Sequence, residues 1–128
     1  MSCARGYGSG LKSVHCTVAD CSANSNAVLD GSGDVGHFNS ITIGADGLGF
    51  IAYYDATNAD LKTAHCSNLT CTTAVLVVQD SAGDVGSWTA LALGADQLPV
   101  LSYHDATNGD LKFLHCSNPL CLPYTRRR

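Results

Sequence analysis

Positive charge is what this chain has least of. Lysine and arginine number seven in 128 residues against eleven acidic residues, for a net charge of -4, and the arginines are Arg5 and the terminal run Arg126, Arg127 and Arg128. With no basic cluster in the body of the chain, a nucleic-acid or anionic-membrane surface is excluded. The terminal arginines read as a solvated tail. Long apolar runs are lacking too: nothing approaches the roughly 18 residues of a membrane span, and Met1 to Gly10 has no apolar core of the kind a signal peptide needs. Helical periodicity is missing throughout. A composition of 45% hydrophobic and 14% charged residues is nevertheless that of a globular chain rather than a disordered one.

What the chain does have is a repeat. Asp34 to Cys71 aligns with Asp84 to Cys121 at 20 identical positions of 38, and the changes are mostly apolar for apolar, as in Ile41 to Leu91 and Phe50 to Val100. A third, partial copy precedes them, because Leu11-Lys12 and His15-Cys16 stand fifty residues before Leu61-Lys62 and His65-Cys66. Units of this length do not bury their apolar faces alone, and neighbours must stack to make a core.

Each unit reads as four short strands. Phe38 to Gly44 alternates Ser40 and Thr42 with Ile41 and Ile43, the period of a strand. Gly44 to Gly47 is a turn signal, and Leu48 to Tyr54 is an aromatic and branched strand suited to burial on both faces. Asp55 to Asp60 makes a second turn, with Asn108-Gly109 at the matching place in the next copy. Leu61 to Cys66 and Thr72 to Gln79 supply the third and fourth strands.

Seven cysteines are many for this length, and six fall as Cys16/Cys21, Cys66/Cys71 and Cys116/Cys121, leaving Cys3 over. Across a four-residue loop between antiparallel strands the flanking residues come close enough for a disulfide. Hairpin staples are the expectation, and with them an extracellular or periplasmic origin. A zinc site from His65, Cys66 and Cys71 is the alternative, weakened because adjacent residues of a strand point to opposite faces.

The stretch Gly44 to Lys62 resembles the blade repeat of bacterial β-propeller proteins, in which a Gly/Asp turn, a strand ending in Tyr-Tyr-Asp (Tyr53 to Asp55) and an Asn-Gly-Asp-Leu-Lys turn (Asn108 to Lys112) recur. The likeness covers about Gly10 to Cys121. It departs from the Asp-box of sialidases, whose letters occur in Ser81 to Trp88 at other spacings, and from the Trp-Asp propeller signature. The resemblance implies an all-β chain of four-stranded antiparallel blades. Residues 1–33 are expected to form a partial blade (strands three and four, Leu11 to Cys16 and Ser25 to Leu29), residues 34–83 a complete blade, and residues 84–128 a partial blade (strands one to three) with the basic tail. Incomplete blades leave open edges, so the ring is expected to close by homo-oligomerisation. If strand four of one chain completes strands one to three of the next, each chain supplies two blades and a trimer is favoured, similar in blade count to small lectins that trimerise into six-bladed rings.

For chemistry the candidates are few. Trp88, Phe38, Tyr53, Tyr54 and Tyr103 are the aromatics suited to stack on a sugar ring, with inter-blade pockets lined by Trp88, Tyr103 and His104, and with packing between blades the competing role for Phe38 and Trp88. His15, His65 and His115 recur with the repeat and read as hydrogen-bonded strand residues, whereas His37 and His104 do not recur. Asp55, Asn58 and Asp60 are oxygen ligands of the type calcium takes, but fixing the turn explains them as well. No nucleophile elbow, phosphate loop or acid pair stands out, and a sialidase-like arginine cluster inside the repeats is excluded. The expectation is a binding module, carbohydrate the leading ligand, or a scaffold without its own ligand; an enzyme comes third, and neither a cofactor nor a metal is expected.

Overall fold

A computed structural model describes residues 2–7 and 10–121; the basic tail lies outside them. Among the described residues there are ten strands and no helix. They form three antiparallel sheets.

The central sheet is the complete unit, a meander of β4 (Val35–Ile43), β5 (Gly49–Asp55), β6 (Asp60–Cys66) and β7 (Ala74–Asp80) in that spatial order. Asp46 makes its first turn, accepting the Leu48 N–H at 3.0 Å. Asp55 makes the second, with Asn58 donating through its backbone N–H and its Nδ2 to the two carboxylate oxygens at 3.0 and 2.9 Å. Asp105 and Asn108 repeat that pattern. These side chains are occupied in holding the turns. The third sheet holds β8 (Val85–Leu93), β9 (Pro99–Asp105) and β10 (Asp110–His115), the counterparts of β4, β5 and β6.

The first sheet has three strands, not the expected two: β1 (Ser2–Tyr7), β2 (Gly10–Cys16) and β3 (Asn24–Asp30). Strand β1 is off the fifty-residue period. Arg5 pairs with Lys12 where Tyr53 pairs with Lys62, and two residues separate Tyr7 from its partner Gly10 where four separate Asp55 from Asp60. Strand β3 is paired along its length with β2.

The sheets stack face to face with a core in each gap. Leu11, Val35, Ile51, Tyr53, Ala64, Cys66 and Cys71 fill the first; Phe50, Ala52, Leu61, Val85, Leu101, Tyr103, Cys116 and Cys121 fill the second. The central strands β5 and β6 are therefore buried on both faces, while Val75, Leu76 and Val78 of the outer strand β7 stay partly exposed. Glycine sets the stacking distance. A Cβ on Gly86, at φ 109°, would stand 2.7 Å from the Leu61 Cα, and one on Gly36, at φ 96°, 3.0 Å from the Leu11 Cα.

All three cysteine pairs form disulfides, with Cα separations of 4.7, 4.9 and 4.8 Å, which fits an oxidising environment. The zinc alternative falls with them, because Cys66 and Cys71 are bonded to each other. Two disulfide loops also join sheets: Ser13 Oγ donates to the Cys71 carbonyl at 2.6 Å, and Gln79 Nε2 to that of Cys121 at 2.6 Å.

Candidate functional site

Strands β4 and β8 both break register between their third and sixth residues, at His37/Ser40 and Ser87/Ala90. Phe38 and Trp88 sit in those bulges with φ of 51° and 56°, a left-handed conformation that bulky side chains rarely adopt. The bulge swings each ring out of the sheet. Trp88 is left 68% exposed and Phe38 39%, their centroids 4.3 Å apart and their planes tilted by 48°. Tyr54 adds a third ring 6.0 Å from Phe38. Across the gap Thr89 Oγ1 donates to the Phe38 carbonyl, which fixes the two bulges relative to one another.

Polar groups border this aromatic platform. His37 Nε2 lies 2.6 Å from Asp34 Oδ1, and Tyr54 Oη donates to Asp84 Oδ1 at 2.6 Å. That bond, with some burial, pushes the Tyr54 hydroxyl up to about 12. The carboxylates are themselves held by their backbones, since the Asp34 and Asp84 N–H groups donate to Thr57 Oγ1 and Thr107 Oγ1, both at 2.7 Å. His104 stands 3.4 Å from Ser87 Oγ, at the place Tyr54 and His37 take in the preceding unit.

Of the proposed ligand-binding residues, Phe38, Trp88 and Tyr54 meet on this surface. Tyr103 goes elsewhere. Its ring is buried in the second core, and its hydroxyl donates to Asp80 Oδ2 at 2.7 Å, an oxygen that also accepts Lys112 Nζ at 2.7 Å. It belongs to a clamp between sheets, built twice: Tyr53 Oη and Lys62 Nζ reach Asp30 Oδ2 at 2.8 and 2.6 Å, while Ser32 satisfies Asp30 Oδ1 through its N–H and Oγ. Burial raises the proton affinity of Asp30, but the hydrogen bonds from Lys62, Ser32 and Tyr53 outweigh it and hold the carboxyl well below the usual range. Asp80 is lowered by the same balance. Tyr53 and Tyr103 are raised, by burial and then by their bonds to the carboxylates. Sequence reasoning missed these clamps. The signal was present, since Asp30 and Asp80 keep the fifty-residue period just outside the aligned stretch.

The repeated histidines are partnered as expected of strand residues. His65 Nε2 lies 2.8 Å from Asp46 Oδ2 and His115 Nε2 2.7 Å from Asp96 Oδ2. Comparison with known protein families, with characterised proteins and with solved structures finds no match.

Proposed function

We propose that the chain is a binding module made of propeller-type blades and that it holds a neutral carbohydrate on the platform of Phe38 and Trp88. One observation carries this: two successive units spend the same left-handed bulge on a large aromatic ring and then leave that ring in solvent. A bulky residue in that conformation costs about 1–3 kcal/mol, and strain of this kind concentrates where a surface has work to do. The C–H faces of a sugar suit an aromatic plane. Its hydroxyls suit the carboxylates of Asp34 and Asp84 and the ring nitrogen of His37. The charge favours a neutral ligand, because the platform is bordered by carboxylates while Lys62 and Lys112 are committed to the clamps. The blades in this proposal close their ring with further copies of the chain, in an extracellular or periplasmic setting.

A glycan array probed with the labelled chain, alongside Trp88→Ala, tests it. Binding to neutral oligosaccharides that disappears in the variant is the expected result; an empty array would sink the proposal. The scaffold alternative takes its support from Thr89, whose bond to the Phe38 carbonyl makes the bulges a stitch between sheets. In that case Trp88→Ala loosens the stack and removes no ligand.

A further inference from the structure

Leu61 and Leu111 occupy the same place in successive units, the first residue after the Asp that opens the third strand. Leu61 is fully buried beneath Val85 and Gly86 of the next sheet, as Leu11 is beneath Val35 and Gly36. Leu111 is 80% exposed, and Phe113, at the place of Ser13 and Thr63, is 68% exposed. With Val100 and His115 they form an open apolar face on the third sheet. Twice within the chain the corresponding face is a seat for a following sheet. Among the described residues nothing covers the third.

We infer that this seat takes the first sheet of a second copy of the chain, an inference that rests on reading the sheets as stacked blades. The sheets that fill the two internal seats enter with the same parts: Ala64 or Leu114 from the third strand, and the disulfide loop behind it. Of these parts the first sheet carries the third-strand residue and the disulfide loop on its outer face, without a counterpart of Val35-Gly36 or Val85-Gly86. Leu11 and Ser13 point to the central sheet, so Val14 between Ser13 and His15 points away from it, and the Cys16–Cys21 loop follows. The polar detail matches as well. The carbonyls of Cys71 and Cys121 need donors from the seat, Ser13 and Gln79. The Cys21 carbonyl takes its hydrogen bond from Asn24 Nδ2 in its own loop, at 3.1 Å. A loop already satisfied suits a seat in which phenylalanine stands at the place of Ser13, whose hydroxyl is the donor in the first seat. The contact joins two different surfaces, so it is heterologous and propagates until a ring closes.

Light scattering on the 128-residue chain, on Leu111→Glu and on Val14→Glu tests this, with far-ultraviolet circular dichroism to establish that each variant keeps its strands. The wild type is expected at a multiple of 13.3 kDa, each variant at one chain, and an equal mixture of the two variants at two chains, because one intact seat and one intact first sheet remain between them. Leu111→Ala, milder at an exposed site, should weaken assembly at least tenfold if the glutamate variant fails to fold. Assembly lost in Leu111→Glu but untouched in Val14→Glu would mean that the seat meets something other than the first sheet, and overturns the inference. A monomeric wild type overturns it as well. Hydrogen exchange then separates the two levels: a monomer with a protected Val85 amide retains the stacked blades, and one without that protection has lost both.

Discussion

Trp88 shows what a single residue contributes and costs. Its φ of 56° is one that glycine adopts freely and alanine does not, so Trp88→Gly should be more stable than Trp88→Ala by about 1 kcal/mol, as read by urea denaturation. Both variants should lose binding of the proposed carbohydrate equally. A glycine variant no more stable than the alanine one would mean that the bulge is not strained. Asp30 is the opposite kind of residue, chosen for what it holds together. Asp30→Asn leaves the Lys62 ammonium buried without its counter-charge, a change worth about 3–5 kcal/mol. Asp80→Asn should cost less, because Lys112 is about one-third exposed and its pairing is screened by water.

Among the elements, the strands copied at the fifty-residue period were legible in the sequence and β1 was not. Strands β4 to β6 and β8 to β10 carry alternation, turn aspartates and cysteines in fixed places, each with a local physical cause. Strand β1 has none of these marks: Arg5 pairs with Lys12 where the repeat has a tyrosine, and the strand is off the period. The platform was half legible. Phe38 and Trp88 were visible as aromatics at matching positions, but the left-handed bulge that exposes them depends on pairing with β5 and β9. Tyr103 was assigned to a pocket for the same reason: exposure follows from the neighbouring sheet, and the sequence of one strand does not contain it. Two substitutions test the joints between elements. Gly86→Ala drives a methyl into Leu61 while keeping a positive φ, and should cost about 3 kcal/mol from backbone strain and overpacking together. Replacing Cys66 and Cys71 by serine opens a short loop and should cost about 2 kcal/mol. Thermal melts of both variants give the comparison, and a glycine variant that melts with the wild type would remove the account of sheet spacing.

At the scale of the whole molecule the clamps tie stability to pH. Asp30 and Asp80 have folded-state proton affinities below those of the unfolded chain. Their contribution is complete above the unfolded carboxylate value of about 4 and fades as acid reaches the folded values. The tyrosines work at the other limit. Tyr53, Tyr54 and Tyr103 are raised, so what they add is complete below about pH 10 and is lost on going higher. The melting temperature should therefore be flat through neutrality, fall below about pH 4, and fall again above about pH 10. A protein whose melting temperature rises on acidification would contradict the clamps. The open seat and the platform are the two outward surfaces to which the proposals assign a further copy of the chain and a carbohydrate.

Trp88 is the only tryptophan of the chain, so its emission reports from the platform and nowhere else. Titration of the native protein with a panel of neutral oligosaccharides, followed by tryptophan fluorescence, is the most direct test of the proposed function. A saturable change in emission with at least one sugar, absent in Phe38→Ala, is the predicted result. Emission that stays unchanged across the panel while the protein remains folded would contradict the carbohydrate platform.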